Sequence, residues 1–149
     1  MTSRAALYER VGRALKVSQL LETEIGTALL GLDALVTNSH LNPDPDKYSR
    51  LREAIEKRTL GQCLRQMKER LTLHEDLEAI LNEALEARND LAHRFFSRSG
   101  LKLQDEKGRD EMLAYLEQIM GKLERGYAFA GNVASALVRK VHSEANRDA

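Results

Sequence analysis

Apolar positions recur at three- and four-residue spacing along most of the chain, and no alternating run long enough for a strand interrupts them. From about Arg4 to Val36, the residues Leu7, Val11, Ala14, Ser18, Leu21, Ile25, Ala28, Leu32 and Val36 follow a near-heptad rhythm, which predicts one long helix. The stretch from Thr37 to Asp46 holds both prolines and reads as a loop. A short helix is expected from about Tyr48 to Lys57. Thr59-Leu60-Gly61-Gln62 then has the spacing of a capping box, opening a helix that runs to about Leu71. A fourth helix should span about His74 to Phe96, ended by Ser97-Arg98-Ser99-Gly100. After a polar, glycine-containing connection, the last helix runs from about Asp110 to Ser143. Its apolar seam is Leu113, Leu116, Met120, Leu123, Tyr127, Ala130, Ala134, Leu137 and Val141. Residues beyond Ser143 are expected to fray. These elements predict an all-α, up-down bundle of about five helices, the two long ones packing around shorter ones. All 149 residues are read as a single domain.

The fourth helix carries the most informative stretch, Glu86-Ala87-Arg88-Asn89-Asp90-Leu91-Ala92-His93-Arg94-Phe95-Phe96. Its stripe reads Leu77, Leu81, Ala84, Leu85, Leu91, Ala92 and Phe95, and Arg88 falls where the pattern asks for a leucine. A permanently charged guanidinium on a core-facing position is costly unless an anionic or polar group meets it. Local rules are broken in this way where a function needs it.

Arg88, Asn89 and His93 together resemble the signature of the HEPN superfamily, helical proteins of higher eukaryotes and prokaryotes. Its pattern is an arginine, a polar residue that is often asparagine, a few variable positions and a histidine. The motif covers one helix, whereas the helical topology matches the family over most of the chain. The resemblance implies a metal-independent endoribonuclease, commonly a toxin or defence component, or a relative that binds nucleotides or RNA without cutting.

On a regular helix Asn89 and His93, four residues apart, face the same way, with Glu86 on the same polar face. Arg88 lies about 140° around the axis from His93. A single helix thus does not aim both groups at one small atom unless the long Arg88 side chain wraps round, or a second copy supplies the complement. A two-fold dimer would bring two Arg88 and two His93 into one cleft. Cutting RNA without a metal requires a base for the 2′-hydroxyl proton, an acid for the leaving 5′-oxygen and a cation for the phosphorane charge. Histidine serves as either base or acid near neutrality. Arginine offers a planar fork matched to phosphate oxygens. Asn89 would hold the phosphate or fix the imidazole. Arg94, Arg65 and Lys68 are the candidate RNA-contacting side chains.

Plainer roles stand beside these. Arg88 would serve structurally by pairing with Glu86, Asp90 or a carboxylate on a neighbouring helix, and His93 would be a boundary residue. The chain would then be a non-catalytic helical dimerisation or protein-interaction module. A third reading, again by resemblance, is a toxin neutralised by a nucleotidyltransferase-type antitoxin.

Charge and composition narrow the field only partly. Formal net charge is zero, which gives no global pull toward nucleic acid. Lys47 to Arg70 nevertheless carries eight basic side chains against three acidic ones, and Glu75 to Asp90 carries six acidic against Arg88 alone. These segments either neutralise each other or set a basic wall beside the motif to guide a phosphate backbone. With seven aromatics in all, no platform for single strands is evident; Phe95 and Phe96 read as core, although one could stack on a base. Cys63 shares an apolar face with Leu60, Leu64 and Met67 and reads as core, and a lone cysteine fits a reducing cytoplasm. His40, His74 and His142 are scattered without metal-ligand spacing, so no metal is expected. No phosphate-cradling glycine loop is present, and no cofactor is expected. No run approaches the roughly 18 apolar residues that span a bilayer, and no signal-peptide h-region opens the chain, so a cytoplasmic protein without a membrane partner is expected.

Overall fold

The computed structural model describes residues 1–147. Their regular structure is entirely helical, and no strand occurs among the described residues. In order these are α1 (Arg4–Thr37), α2 (Pro45–Glu56), α3 (Leu60–Arg70), α4 (Glu75–Asn89), a π-helical turn (Asp90–Arg94), α5 (Phe95–Ser99), a 3₁₀ turn (Lys102–Gln104) and α6 (Glu106–Arg147). α4, the π-turn and α5 follow without a break and form the expected motif helix, so five helical runs result. No helix of the described residues is long and apolar enough to cross a membrane.

The described residues gather into two units, one from Met1–Leu21 with Glu75–Tyr127, the other from Glu22–His74 with the rest of α6 from Ala128. α1 and α6 contribute to both.

In the first unit, Leu7, Val11, Ala14 and Leu21 of α1 are buried, as are Leu81, Ala84 and Ala87 of α4 and Met112, Leu116, Ile119 and Leu123 of α6. The seam on α6 is phased differently from expectation. Met112, Ile119 and Gly126 take the buried places, while Leu113, Met120 and Tyr127 are half-buried. The reason lies at Gly126, where a Cβ would stand only 2.5 Å from the Ala84 Cβ and 3.8 Å from Leu21. Backbone-close approach of α6 to α4 needs a residue without a side chain, and that requirement fixes the rotation of α6. α6 also starts earlier than predicted. Asp105 caps it by accepting from the Gly108 N–H at 2.7 Å, and a Cβ on Gly108 would stand 2.2 Å from the Lys102 carbonyl oxygen. The N-terminal segment is tied to the same end: the Thr2 N–H donates to Asp110 at 2.9 Å, and Arg109 Nε donates to the Thr2 carbonyl at 2.7 Å.

In the second unit Ile25, Ala28, Leu29 and Leu32 of α1 are buried with Ile55 of α2, Leu60, Cys63, Leu64 and Met67 of α3 and Ala130 and Ala134 of α6. Val36, expected to close the α1 seam, is 70% exposed in the last turn of α1, and just beyond it Asn38 turns the chain at φ 55°, a left-handed position that asparagine tolerates. α2 begins at Pro45, three residues before the expected start. Asp44 caps it by accepting from the Lys47 N–H, and Pro45 fills a first-turn position where its missing N–H is no loss. The capping box at Thr59 and Gln62 forms in both directions, at 3.2 and 2.9 Å. Cys63 is buried, and that burial pushes its thiol pKa up, with Arg58 opposing and Glu22 adding to the rise. α6 stays helical to Arg147, past the predicted fraying point at Ser143; Asp148 and Ala149 lie outside the described residues.

Two glycine substitutions of α-helical positions should move stability in opposite directions. Gly12 is exposed with nothing within 4 Å of a new Cβ, so Gly12→Ala should add about 0.5–1 kcal/mol. Gly126→Leu should remove about 1–3 kcal/mol by prising α6 from α4. Thermal melts measure both, and an unchanged midpoint for Gly126→Leu would contradict the close approach.

Candidate functional site

The motif occupies the end of α4 and the π-turn, all within the first unit. Arg88 and Asn89 are half-buried in the last turn of α4, and His93 is exposed on the π-turn. The buried stripe runs through Leu81, Ala84, Ala87, Leu91 and Phe95. Ala87, 3% exposed, therefore holds the core position that the periodicity assigned to Arg88, and Arg88 borders the stripe. Leu85 is half-buried and Ala92 exposed, so the stripe is narrower than predicted. A small alanine at the core position leaves room beside it for the Arg88 stem, whose apolar methylenes can lie along the core edge while the guanidinium reaches polar partners. One of these is Asn89, which accepts from Arg88 through Oδ1 at 3.3 Å.

The π-turn alters the angular relations drawn from a regular helix. The Phe95 N–H donates to the Asp90 carbonyl, an i→i+5 bond in place of i→i+4. Such a turn takes an extra residue to complete a revolution, so residues five apart come closer to alignment than they do on an α-helix. Arg88 and His93 are five apart, and their separation is smaller than the 140° of regular geometry. Asn89 and His93 correspondingly lose the alignment expected of an i, i+4 pair.

Asp90 braces this turn. Its carboxylate accepts from Arg94 Nε and forms an ion pair with the same guanidinium, while Tyr115 on α6 donates its hydroxyl to Oδ2 at 2.8 Å. Burial alone would raise the Asp90 pKa, but the hydrogen bonds from Tyr115 and Arg94, with the charges of Arg94 and Arg98, more than offset it and hold the carboxyl below its ordinary value. The reciprocal effect raises the Tyr115 hydroxyl, through its bond to Asp90 first, then burial and the Asp90 charge. Neither Tyr115 nor this role of Asp90 was read from the sequence, since Tyr115 lies 25 residues away on another helix.

The remaining predicted RNA contacts are divided between the units. Arg94 is engaged with Asp90. Arg65, exposed, and Lys68, half-buried, sit on α3 of the second unit. His40 belongs to that unit too: its ring is 4% exposed, Nδ1 meets the Ala34 carbonyl at 2.9 Å and Nε2 meets Glu144 at 2.8 Å. It borders a cavity of about 650 Å³ lined by Leu30, Asp33, Tyr48 and Leu51 among others. Among the described residues no three His, Cys, Asp or Glu side chains are grouped as a metal ion would need.

Comparison with known protein families, with curated proteins and with solved structures finds no match to this chain.

Removing the Tyr115 hydroxyl tests the brace. In Tyr115→Phe the Asp90 titration, followed by carboxyl NMR, should move upward toward the ordinary carboxylate range. Because the folded-state pKa of Asp90 is depressed, its contribution to stability is present above the unfolded value of about 3.9 and is lost as pH falls through the folded value. Tyr115→Phe should accordingly cost about 0.5–1 kcal/mol at pH 7 and less in acid, where Asp90 is protonated and the bond has lost its charge assistance.

Proposed function

We propose that this chain is a HEPN-type RNA-binding protein that acts, as a two-fold dimer, as a metal-independent endoribonuclease centred on Arg88, Asn89 and His93. The observation that carries the reading is the π-turn directly after Arg88-Asn89, which draws Arg88 and the exposed His93 closer around the helix than a regular helix would. π-turns are rare and concentrate at functional sites.

In this reading each protomer contributes one histidine. One imidazole, neutral, takes the proton of a 2′-hydroxyl; the 2′-oxygen attacks phosphorus; the bond from phosphorus to the 5′-oxygen breaks; and the second histidine, as imidazolium, protonates that leaving oxygen. The products are a 2′,3′-cyclic phosphate and a free 5′-hydroxyl. Arg88 neutralises charge on the phosphorane oxygens, where a rigid guanidinium fork is worth most. Asn89, by accepting from Arg88, orients that fork. Arg94, beside the motif in the first unit, is the candidate contact to the phosphate backbone. The protein would serve in the cytoplasm as a toxin or defence component, and a nucleotidyltransferase-type antitoxin is the partner class this resemblance implies.

Purified protein in the presence of chelator should cut RNA and leave cyclic phosphate ends. His93→Ala and Arg88→Ala should each lower the rate by about 100-fold or more. Cutting that survives His93→Ala would end the catalytic assignment.

The zero net charge and the capture of Arg94 by Asp90 favour a second reading, a non-catalytic dimerisation or protein-interaction module in which Arg88 and His93 anchor the partner. Sedimentation of Arg88→Ala separates the two. A variant that turns monomeric, beside a wild type that never cuts RNA, selects the module.

A further inference from the structure

Four of the seven aromatic side chains of the chain meet in one place in the first unit, although they come from three separate stretches of sequence. Phe95 is the hub. It is 2% exposed, its ring centroid lies 5.1 Å from Phe96 in an edge-on contact, and 6.3 Å from Tyr115 in a stacked one with the planes 12° apart. Tyr8 of α1 joins from the other side, 5.8 Å from Phe96. Unlike the hub, the outer rings face water: Tyr8 is 50% exposed, Phe96 39% and Tyr115 38%. An isolated exposed aromatic is ordinary, but Phe96 and Tyr115 meet through the buried Phe95 and Tyr8 extends the chain of contacts through Phe96, which makes a patch that water solvates poorly.

These rings are also held. Burial fixes Phe95, Phe96 is braced between Phe95 and Tyr8, and the Tyr115 hydroxyl is tied to Asp90. A rigid aromatic face loses little rotamer freedom when something stacks on it. Its surroundings are cationic on the motif side. Arg94 and the exposed Arg98 both lie near enough to Tyr115 for their charge to act on its hydroxyl. Through Tyr115 and Asp90 the patch is continuous with the π-turn that presents His93, and Phe95 and Phe96 follow His93 by two and three residues.

We propose that Tyr8, Phe96 and Tyr115 form a stacking platform for the unpaired bases of a single-stranded RNA, with Arg98 meeting its phosphates, so that the strand is laid across the π-turn beside His93. This rests on the RNA reading above and specifies its substrate. Flat π faces next to guanidinium groups suit splayed bases and their backbone together, because every base has a face to stack and every linkage has a charge. A duplex hides those faces, so paired RNA is excluded from the platform. Phe96, expected to be core, is 39% exposed, and the fold supplies from α1 and α6 the aromatic neighbours that are distant from it in sequence.

The test uses the full chain in chelator, with binding read by fluorescence anisotropy of a labelled, unstructured ten-nucleotide RNA. Binding is measured on the His93→Ala background so that the probe survives, and cutting on the native-histidine background. Single strand should outcompete a hairpin of equal length. Tyr8→Ala and Phe96→Ala should each weaken binding about tenfold. Phe96→Leu, which keeps apolar bulk but has no π face, should do the same if Phe96→Ala fails to fold. Tyr48→Ala, an exposed tyrosine in the second unit, should bind as the parent does. Aromatic variants that bind as tightly as the parent overturn the platform, and His93-dependent cutting in those variants would show that the nuclease reading stands without it. Binding of single strands through these rings, beside a native-histidine protein that never cuts, leaves the platform standing and ends the nuclease reading. A hairpin that competes equally, a parent that binds no RNA, or loss of a dimer on Tyr8→Ala overturns the platform, the last because the face then belongs to a second copy of the chain.

Discussion

The Asp90 carboxylate takes two partners from different directions, Arg94 one turn ahead on its own helical run and Tyr115 from α6, and the arrangement around the motif follows from that double attachment. A widened turn gives up regular i→i+4 pairing, and it persists only where neighbouring contacts over-determine it. Asp90 supplies such contacts at the first residue of the turn, and the burial of Leu91 and Phe95 supplies more, Phe95 stacking on the same Tyr115 that holds Asp90. Polar attachment and apolar packing together hold the backbone. The exposed His93 and the half-buried Arg88 flank this clamp, which sets the backbone between them.

The clamp needs α6 at a fixed height and rotation, because Tyr115 must reach Asp90 while Leu116 and Ile119 stay buried. Gly126 enforces that rotation by admitting Ala84 at a distance no side chain would allow. The capped start of α6 at Asp105 and Gly108, with Arg109 holding the Thr2 carbonyl, sets the other end of the same segment. Packing far from the motif thus decides where a hydroxyl sits within it.

Much of this was legible in the sequence, and the failures are physically specific. The α1 rhythm from Leu7 to Leu32 identified buried positions because a long helix repeats one contact geometry many times. The capping box at Thr59 was legible because both its bonds are local. The α6 seam was misphased by one residue at Met112 and Ile119, because a glycine in close packing gives no hydrophobic signal in the pattern. Arg88 was placed on the stripe when Ala87 occupies it, because a small alanine, though 3% exposed, gives a weak hydrophobic signal in the pattern. The π-turn could not be read at all, since the angular arithmetic presumes 3.6 residues per turn throughout. Nor could the aromatic cluster, whose members lie far apart until three helices bring them together. The motif residues themselves were legible as types, but their geometry was not.

The π-turn carries one residue more than an α-turn of the same height. It absorbs that residue locally, so the helical run before it and the run after it keep the faces they would present without it. Shortening the spacer between Asn89 and His93 by one residue would close the bulge and return the turn to α-geometry, leaving Phe95 still directed at the core. Arginine and histidine could thus tolerate a spacer that varies by one position, the backbone acting as a slack loop that takes up or releases a single link while the side chains at either end hold station.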